Sequence, residues 1–265
     1  MIELLSPAAW LNQEIIRLPA IIQELIPAQP GEFFIVSGRT GIGKSILMSN
    51  LLFMVGSGTP FYGGYPSIPT DVGLLMMEGD RGNLEDRLRK IIPQYPASTR
   101  TRFDFRLGTV PLEHNLDYYK DTFRGCKLIL VDNLSQVTTS ERLKPEYAAY
   151  WLNIWQAFLR DLEAVGGFTM HIKKPNEASL FNPGDVYSLK GATEYVDTAT
   201  TVFLLERKRQ SQNMTGRFAP VNQEELILHF AKQRLAQEST LQPILLRKDF
   251  PTAGFVVVEQ GTQGV

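Results

Sequence analysis

The sequence predicts an α/β fold: a mainly parallel sheet flanked by helices, with antiparallel strands added toward the C-terminus. Two observations carry this. Short apolar, β-branched or aromatic runs recur at intervals filled by helical patterns, and in the last third such runs follow one another with no helix between them. The first group comprises Glu32–Ser37 (EFFIVS), Val72–Met77 (VGLLMM), Lys127–Asp132 (KLILVD), Phe168–Ile172 (FTMHI) and Thr201–Leu205 (TVFLL). Helical patterns occupy Lys44–Gly56, Asn83–Ile92 and Pro145–Val165. Strand–helix alternation of this kind implies right-handed crossovers and a parallel sheet covered on both faces. Leu226–Ala231, Ile244–Lys248 and Phe255–Glu259 have only turn-like links, so they are expected to extend one edge as antiparallel strands.

The chain has 265 residues, 43% of them hydrophobic, and its 27 basic and 28 acidic residues leave a net charge of −1. That balance excludes a disordered polyelectrolyte and a diffuse cationic coat on nucleic acid, while leaving room for a local basic patch. One cysteine, Cys126, cannot form an internal disulfide and reads as a buried spectator, in keeping with a reducing compartment. No apolar stretch reaches the ~18 residues of a membrane span and no basic leader opens the chain, so no membrane association and a cytoplasmic location are expected. Residues 1–30, where isoleucines alternate with Pro19, Pro27 and Pro30, read as an N-terminal arm that packs on its own domain or on a neighbour. Residues 31–265 read as one domain. Three polar stretches, 135–144, 173–189 and 206–225, are long enough to be functional or mobile loops.

Gly38-Arg39-Thr40-Gly41-Ile42-Gly43-Lys44-Ser45 fits G-x-x-x-x-G-K-[ST] and stands directly after the first strand and before the first helix. Glycines there let successive N–H groups turn inward toward phosphate oxygens, and the helix N-terminus adds positive partial charge. Gly38, Thr40, Gly41, Ile42, Gly43, Lys44, Ser45 and Ile46 are the expected nucleotide-binding residues. In this role Lys44 reaches the β- and γ-phosphates of ATP and the Ser45 hydroxyl ligates Mg²⁺. Asp132 ends the apolar strand KLILVD, where a second carboxylate would join the Mg²⁺ shell; taken alone it would read as a cap or turn residue. Glu78 directly follows VGLLMM at the same rim and is the candidate catalytic base, with a helix cap as the alternative reading and Asp80 a rival for that cap. Arg87, nine residues on, reads as an ion-pair residue on its helix in preference to a charge aimed at the site.

Together these residues resemble hexameric RecA-like helicase and ATPase cores of the DnaB type, above all the compact plasmid-replication RepA type, over roughly residues 20–260. The elements that match are GRTGIGKS, LLMMEGD with the following LEDRLRKI helix, LILVDNL, the strand FTMHI, Lys190-Gly191-Ala192-Thr193-Glu194 and Ala231-Lys232-Gln233-Arg234. The resemblance implies a RecA-like P-loop NTPase fold in a homo-hexamer acting on single-stranded DNA. It makes His171 a γ-phosphate sensor that relays to a DNA-facing loop, and Lys232 and Arg234 cations that reach a neighbour's ATP. Spacing agrees in part: two residues apart on a strand, both cations share one face, although an edge strand guarded by charge gives the same pattern. Arg207, Lys208 and Arg209 are a rival cationic group. Lys173, Lys174 and Lys190 would line the channel, while His114 and His229 read as structural. The segment at 190–192 departs from the family's (R/K)-G-S by an alanine, and no primase-interaction or collar domain of the DnaB kind is expected, so the compact architecture is the anticipated one. Competing readings are a small-molecule P-loop kinase and an ATP-regulated binding assembly without translocation.

Overall fold

The structure, a computed structural model, describes residues 19–105, 110–139, 144–171, 193–208, 225–234 and 241–260. Nine strands form one sheet: β1 (Phe33–Gly38), β2 (Val72–Met76), β3 (Thr101–Phe105), β4 (Leu128–Asp132), β5 (Val165–His171), β6 (Thr201–Arg207), β7 (Glu225–Gln233), β8 (Ile244–Asp249) and β9 (Gly254–Gln260). Their order is β3-β2-β4-β5-β1-β6-β7-β8-β9. From β3 to β6 every pair is parallel, and β6 through β9 pair antiparallel, as the two kinds of sequence run predict. The helices are α1 (Lys44–Ser57), α2 (Arg81–Ile91), α3 (Leu116–Phe123), α4 (Leu134–Val137), α5 (Pro145–Asp161) and α6 (Thr193–Thr198). Among the described residues no helix is long and apolar enough to cross a membrane.

Two cores lie on the two faces of the sheet. One joins α1 and α2 to Phe34, Val36, Leu74 and Leu130; the other joins α3, α5 and α6 to Phe33, Ile35, Ile129 and Phe168. Alternate residues of a strand point to opposite faces, so each buried strand feeds both cores. Helix α1 is buried nearly all round, from Leu47 to Gly56. The cause is that the chain wraps it: Ile21, Ile22, Leu25 and Ile26 join its core, and the Asn50 amide donates to the Ala253 carbonyl in the β8–β9 turn at 3.1 Å. The same turn is held from the end of α2, where Lys90 donates to the Phe250 carbonyl and Gln94 to that of Thr252.

Three expectations are corrected. The fourth expected strand, β5, starts at Val165, three residues before Phe168, and α5 ends correspondingly early, at Asp161. Next in the strand come Gly166 and Gly167, where a larger residue does not fit: a Cβ on the first would stand 2.6 Å from Trp155 and on the second 2.2 Å from Phe34. Strand β3 and helix α3 were not foreseen, and part of the polar stretch after Asp132 is the short helix α4. Finally β7, which carries Lys232, is not an edge strand: it lies between β6 and β8.

Candidate nucleotide-binding site

Strands β1 and β5 are parallel neighbours whose following helices go to opposite faces, α1 to one and α6 to the other, together with α4 and α5 that follow adjoining β4. Such a divergence opens a crevice beyond the carboxyl ends of the strands. A cleft of about 230 Å³ lies there, lined by Thr40, Gly41, Gly43, Lys44, Ser45, Ile46, Glu78, Arg87, Asp132 and His171.

The loop owes its shape to its glycines at two points. Gly41 has φ +73°, a conformation residues with a Cβ rarely adopt. At Gly38 a Cβ would meet the Leu205 carbonyl oxygen at 2.7 Å, because β6 runs alongside. The curled backbone presents its carbonyls to Lys44, whose ammonium donates to those of Gly38 and Arg39 at 3.0 Å each and to His171 Nδ1 at 3.3 Å. An ammonium has no lone pair to offer, so Nδ1 is the accepting nitrogen and the proton of neutral His171 is on Nε2, which faces Glu78 Oε2 at 3.9 Å. Burial holds Lys44 below the usual lysine range, with Asp132 and Glu78 pulling it back up.

Asp132 is buried, its Oδ1 taking a 2.5 Å hydrogen bond from the Thr169 hydroxyl on β5 and its Oδ2 having no partner among the described residues. Arg87 mirrors this. Its guanidinium is mostly buried, NH1 lacks a partner among the described residues, and burial lowers its pKa while Asp132 raises it. A buried acceptor and a buried donor left open on one cleft are costly in isolation. They fit a magnesium ion and a phosphate: Asp132 and the Ser45 hydroxyl would hold the ion, and Lys44 and Arg87 would face the phosphates. When bound, the ion neutralises developing phosphate charge.

The expected residues Lys44, Ser45, Glu78, Asp132 and His171 are therefore brought to one cleft. Arg87 joins them, contrary to the ion-pair reading; Glu85 pairs instead with Arg81 at 2.9 Å. Asp80 takes the cap that Glu78 might have occupied, accepting from the Asn83 N–H at 3.0 Å. Thr169 and Asn133 were missed. Asn133 donates its amide to Glu78 and follows Asp132 directly, an adjacency that is the only sequence signal for it.

Lys232 and Arg234 lie elsewhere. Their α-carbon partners run from Val202 toward the start of β6, and the Arg234 N–H bonds to the Thr200 carbonyl. Lys232 donates to the Val196 and Asp197 carbonyls at 2.7 Å and Arg234 also donates to Asp197, so both cations cap the C-terminus of α6. A register shift between Val202 and Phe203 turns Lys232 to the α6 face and leaves Gln233 buried on the other, bonded to Thr201. His229 faces Glu206 at 3.1 Å and Lys208 pairs with Glu225 at 3.2 Å. Lys173, Lys174, Lys190 and Arg209 lie outside the described residues.

The fold and its cleft define a P-loop nucleotide-binding protein. A family model described as an AAA domain matches residues 2–177, about two thirds of the chain, and the chain belongs to that family of P-loop AAA-type ATPases. Among curated proteins none matches.

Proposed function

We propose that this ATPase is a ring-forming motor that hydrolyses ATP on single-stranded DNA, a helicase of the compact RepA and DnaB type. The observation that carries the catalytic part is the convergence of Lys44, Glu78, Arg87, Asp132 and His171 on one cleft. In this reading ATP with Mg²⁺ lies on Gly38–Ile46, Lys44 and Arg87 bind the phosphates, Asp132 and Ser45 hold the ion, and Glu78 takes a proton from the attacking water. His171, bonded to Lys44 and facing Glu78, reports the γ-phosphate to the chain after β5.

Two features support assembly. The cleft is smaller than the ~300–1,000 Å³ of pockets that engulf a whole ligand, so it suits the phosphates and leaves the nucleoside to be covered from outside. Arg234 stands level with the start of β1, while the phosphate loop follows its end; at ~3.3 Å per residue that is roughly 17–20 Å. Arg234 does not serve its own chain's site at that range and Lys232 is turned away to the end of α6, so a catalytic role for them is a role on a neighbour's ATP. Lys173, Lys174 and Lys190, which lie outside the described residues, would in this reading supply a positive channel once repeated around a ring, despite the neutral chain.

Sizing with and without a non-hydrolysable ATP analogue and an oligonucleotide tests this. The reading expects a larger, homo-hexameric species with the analogue, and ATPase turnover stimulated by single-stranded DNA. A stable monomer that binds nucleotide would favour a small-molecule kinase, and a ring that hydrolyses ATP without separating strands would favour an ATP-regulated assembly.

A further inference from the structure

We propose that Asn133 is the positioning residue that holds the Glu78 carboxylate in the cleft and ties it to α4, an inference that rests on reading Glu78 as the base. Glu78 sits one residue beyond Met77, half exposed and followed by Gly79 at φ +104°. A carboxylate on such a segment has several rotamers open to it, and ordering it requires a partner. Among the described residues the one hydrogen-bond donor to Glu78 is the side-chain amide of Asn133. His171 Nε2, at 3.9 Å, is beyond hydrogen-bond reach.

The orientation of the Asn133 amide follows from its other contacts. Its Oδ1 accepts from the Ser135 backbone N–H at 3.0 Å and from the Ser135 hydroxyl, capping α4. A backbone N–H only donates, so the atom facing it is the carbonyl oxygen and the amide nitrogen faces Glu78. Asn133 is itself fixed. It is 2% exposed, and α4 is held from several sides: the Gln136 carbonyl accepts from the Val110 N–H at 2.8 Å, the Val137 carbonyl from Trp151 at 3.2 Å, and the Thr139 N–H donates to the Tyr147 hydroxyl at 3.0 Å. One side chain thus serves as helix cap and as tether, and the base inherits the rigidity of α4. A group held in place in this way spends none of its binding geometry on being ordered during turnover.

Asn133→Asp separates the two duties. The aspartate keeps the acceptor that caps α4, while the donor to Glu78 is replaced by a like charge. Asn133→Ser also keeps a capping oxygen and is too short to reach Glu78, without adding charge beside Asp132. Both variants are measured in the full chain for melting temperature, ATP affinity, and kcat and KM for ATP. The expected result is a melting transition and a KM close to wild type with kcat reduced, by about 10²-fold for Asn133→Asp. Wild-type kcat in either variant, or a loss confined to KM, overturns the inference while leaving the reading of Glu78 intact if Glu78→Gln is inactive. A wild-type chain that does not hydrolyse ATP overturns the reading of the site, and this inference with it.

Discussion

Lys44 shows how the site trades stability for chemistry. Its ammonium is satisfied by two loop carbonyls and His171, yet burial still holds its pKa below the ordinary 10.5. Between that lowered value and 10.5 the unfolded chain carries a proton that the folded chain has released, so stability from this group rises with pH across that alkaline window. At neutral pH the buried charge is a cost. Lys44→Met is therefore expected to melt no lower than wild type without nucleotide at pH 7, with any advantage shrinking as pH rises toward 10.5 and gone above it. It is also expected to lose the ligand-induced stabilisation that wild type shows, about 2.7 kcal/mol at a nucleotide concentration 100 times Kd. Calorimetry across pH, with and without ATP and Mg²⁺, checks both. Residues of this kind were legible in the sequence because phosphate chemistry demands a local pattern. Arg87 and Thr169 were not: Arg87 lines the cleft from α2 and Thr169 bonds Asp132 from β5, and no local spacing records either placement. Arg87→Ala is expected to weaken nucleotide binding by about 10-fold, in the range of one charge-assisted hydrogen bond, and a titration against Mg-ATP reads it directly.

At the scale of elements, the strands buried on both faces were legible because they are unbroken apolar runs. The Gly-Gly pair at the start of β5 was not, since glycines in sequence read as a turn. Here they make room for rings, Trp155 over Gly166 and Phe34 over Gly167, beneath a stack in which Trp151 and Trp155 lie 5.6 Å apart. Gly167→Ala forces its methyl into the Phe34 ring and is expected to cost about 1–3 kcal/mol, the usual range for overpacking, read as a lower urea midpoint. Edge strand β3, TRFDF, hid for another reason: Arg102 and Asp104 interrupt its apolar residues, and Arg102 is turned to the Arg124 carbonyl at 2.6 Å. Helix α2 starts where a capping residue precedes it. Asp80→Ala removes that cap and is expected to cost about 1 kcal/mol with nucleotide affinity unchanged, since the side chain turns to Asn83 and does not line the cleft.

At the scale of the molecule, the parallel half of the sheet carries the cleft and the antiparallel half carries Lys232 and Arg234. The spacing of those cations was legible, but their surroundings were not, because the register shift in β7 and the end of α6 place them and neither leaves a mark in the motif. If they act on a neighbour's ATP, Arg234→Ala is expected to lower turnover while its own cleft still binds nucleotide. Mixing that variant with Lys44→Ala chains would then restore part of the activity, each supplying what the other lacks; additive inactivity in the mixture argues for a purely structural cap on α6.

Hydrolysis in this cleft depends most directly on Glu78. Steady-state hydrolysis of Mg-ATP by wild type and by Glu78→Gln, with nucleotide affinity measured in parallel, is the deciding measurement. Wild type is expected to hydrolyse ATP, and the variant to bind ATP within about threefold of wild type but turn over about 10²–10⁴-fold more slowly, the range for loss of a general base. A Glu78→Gln chain that hydrolyses ATP at the wild-type rate would contradict that dependence on Glu78.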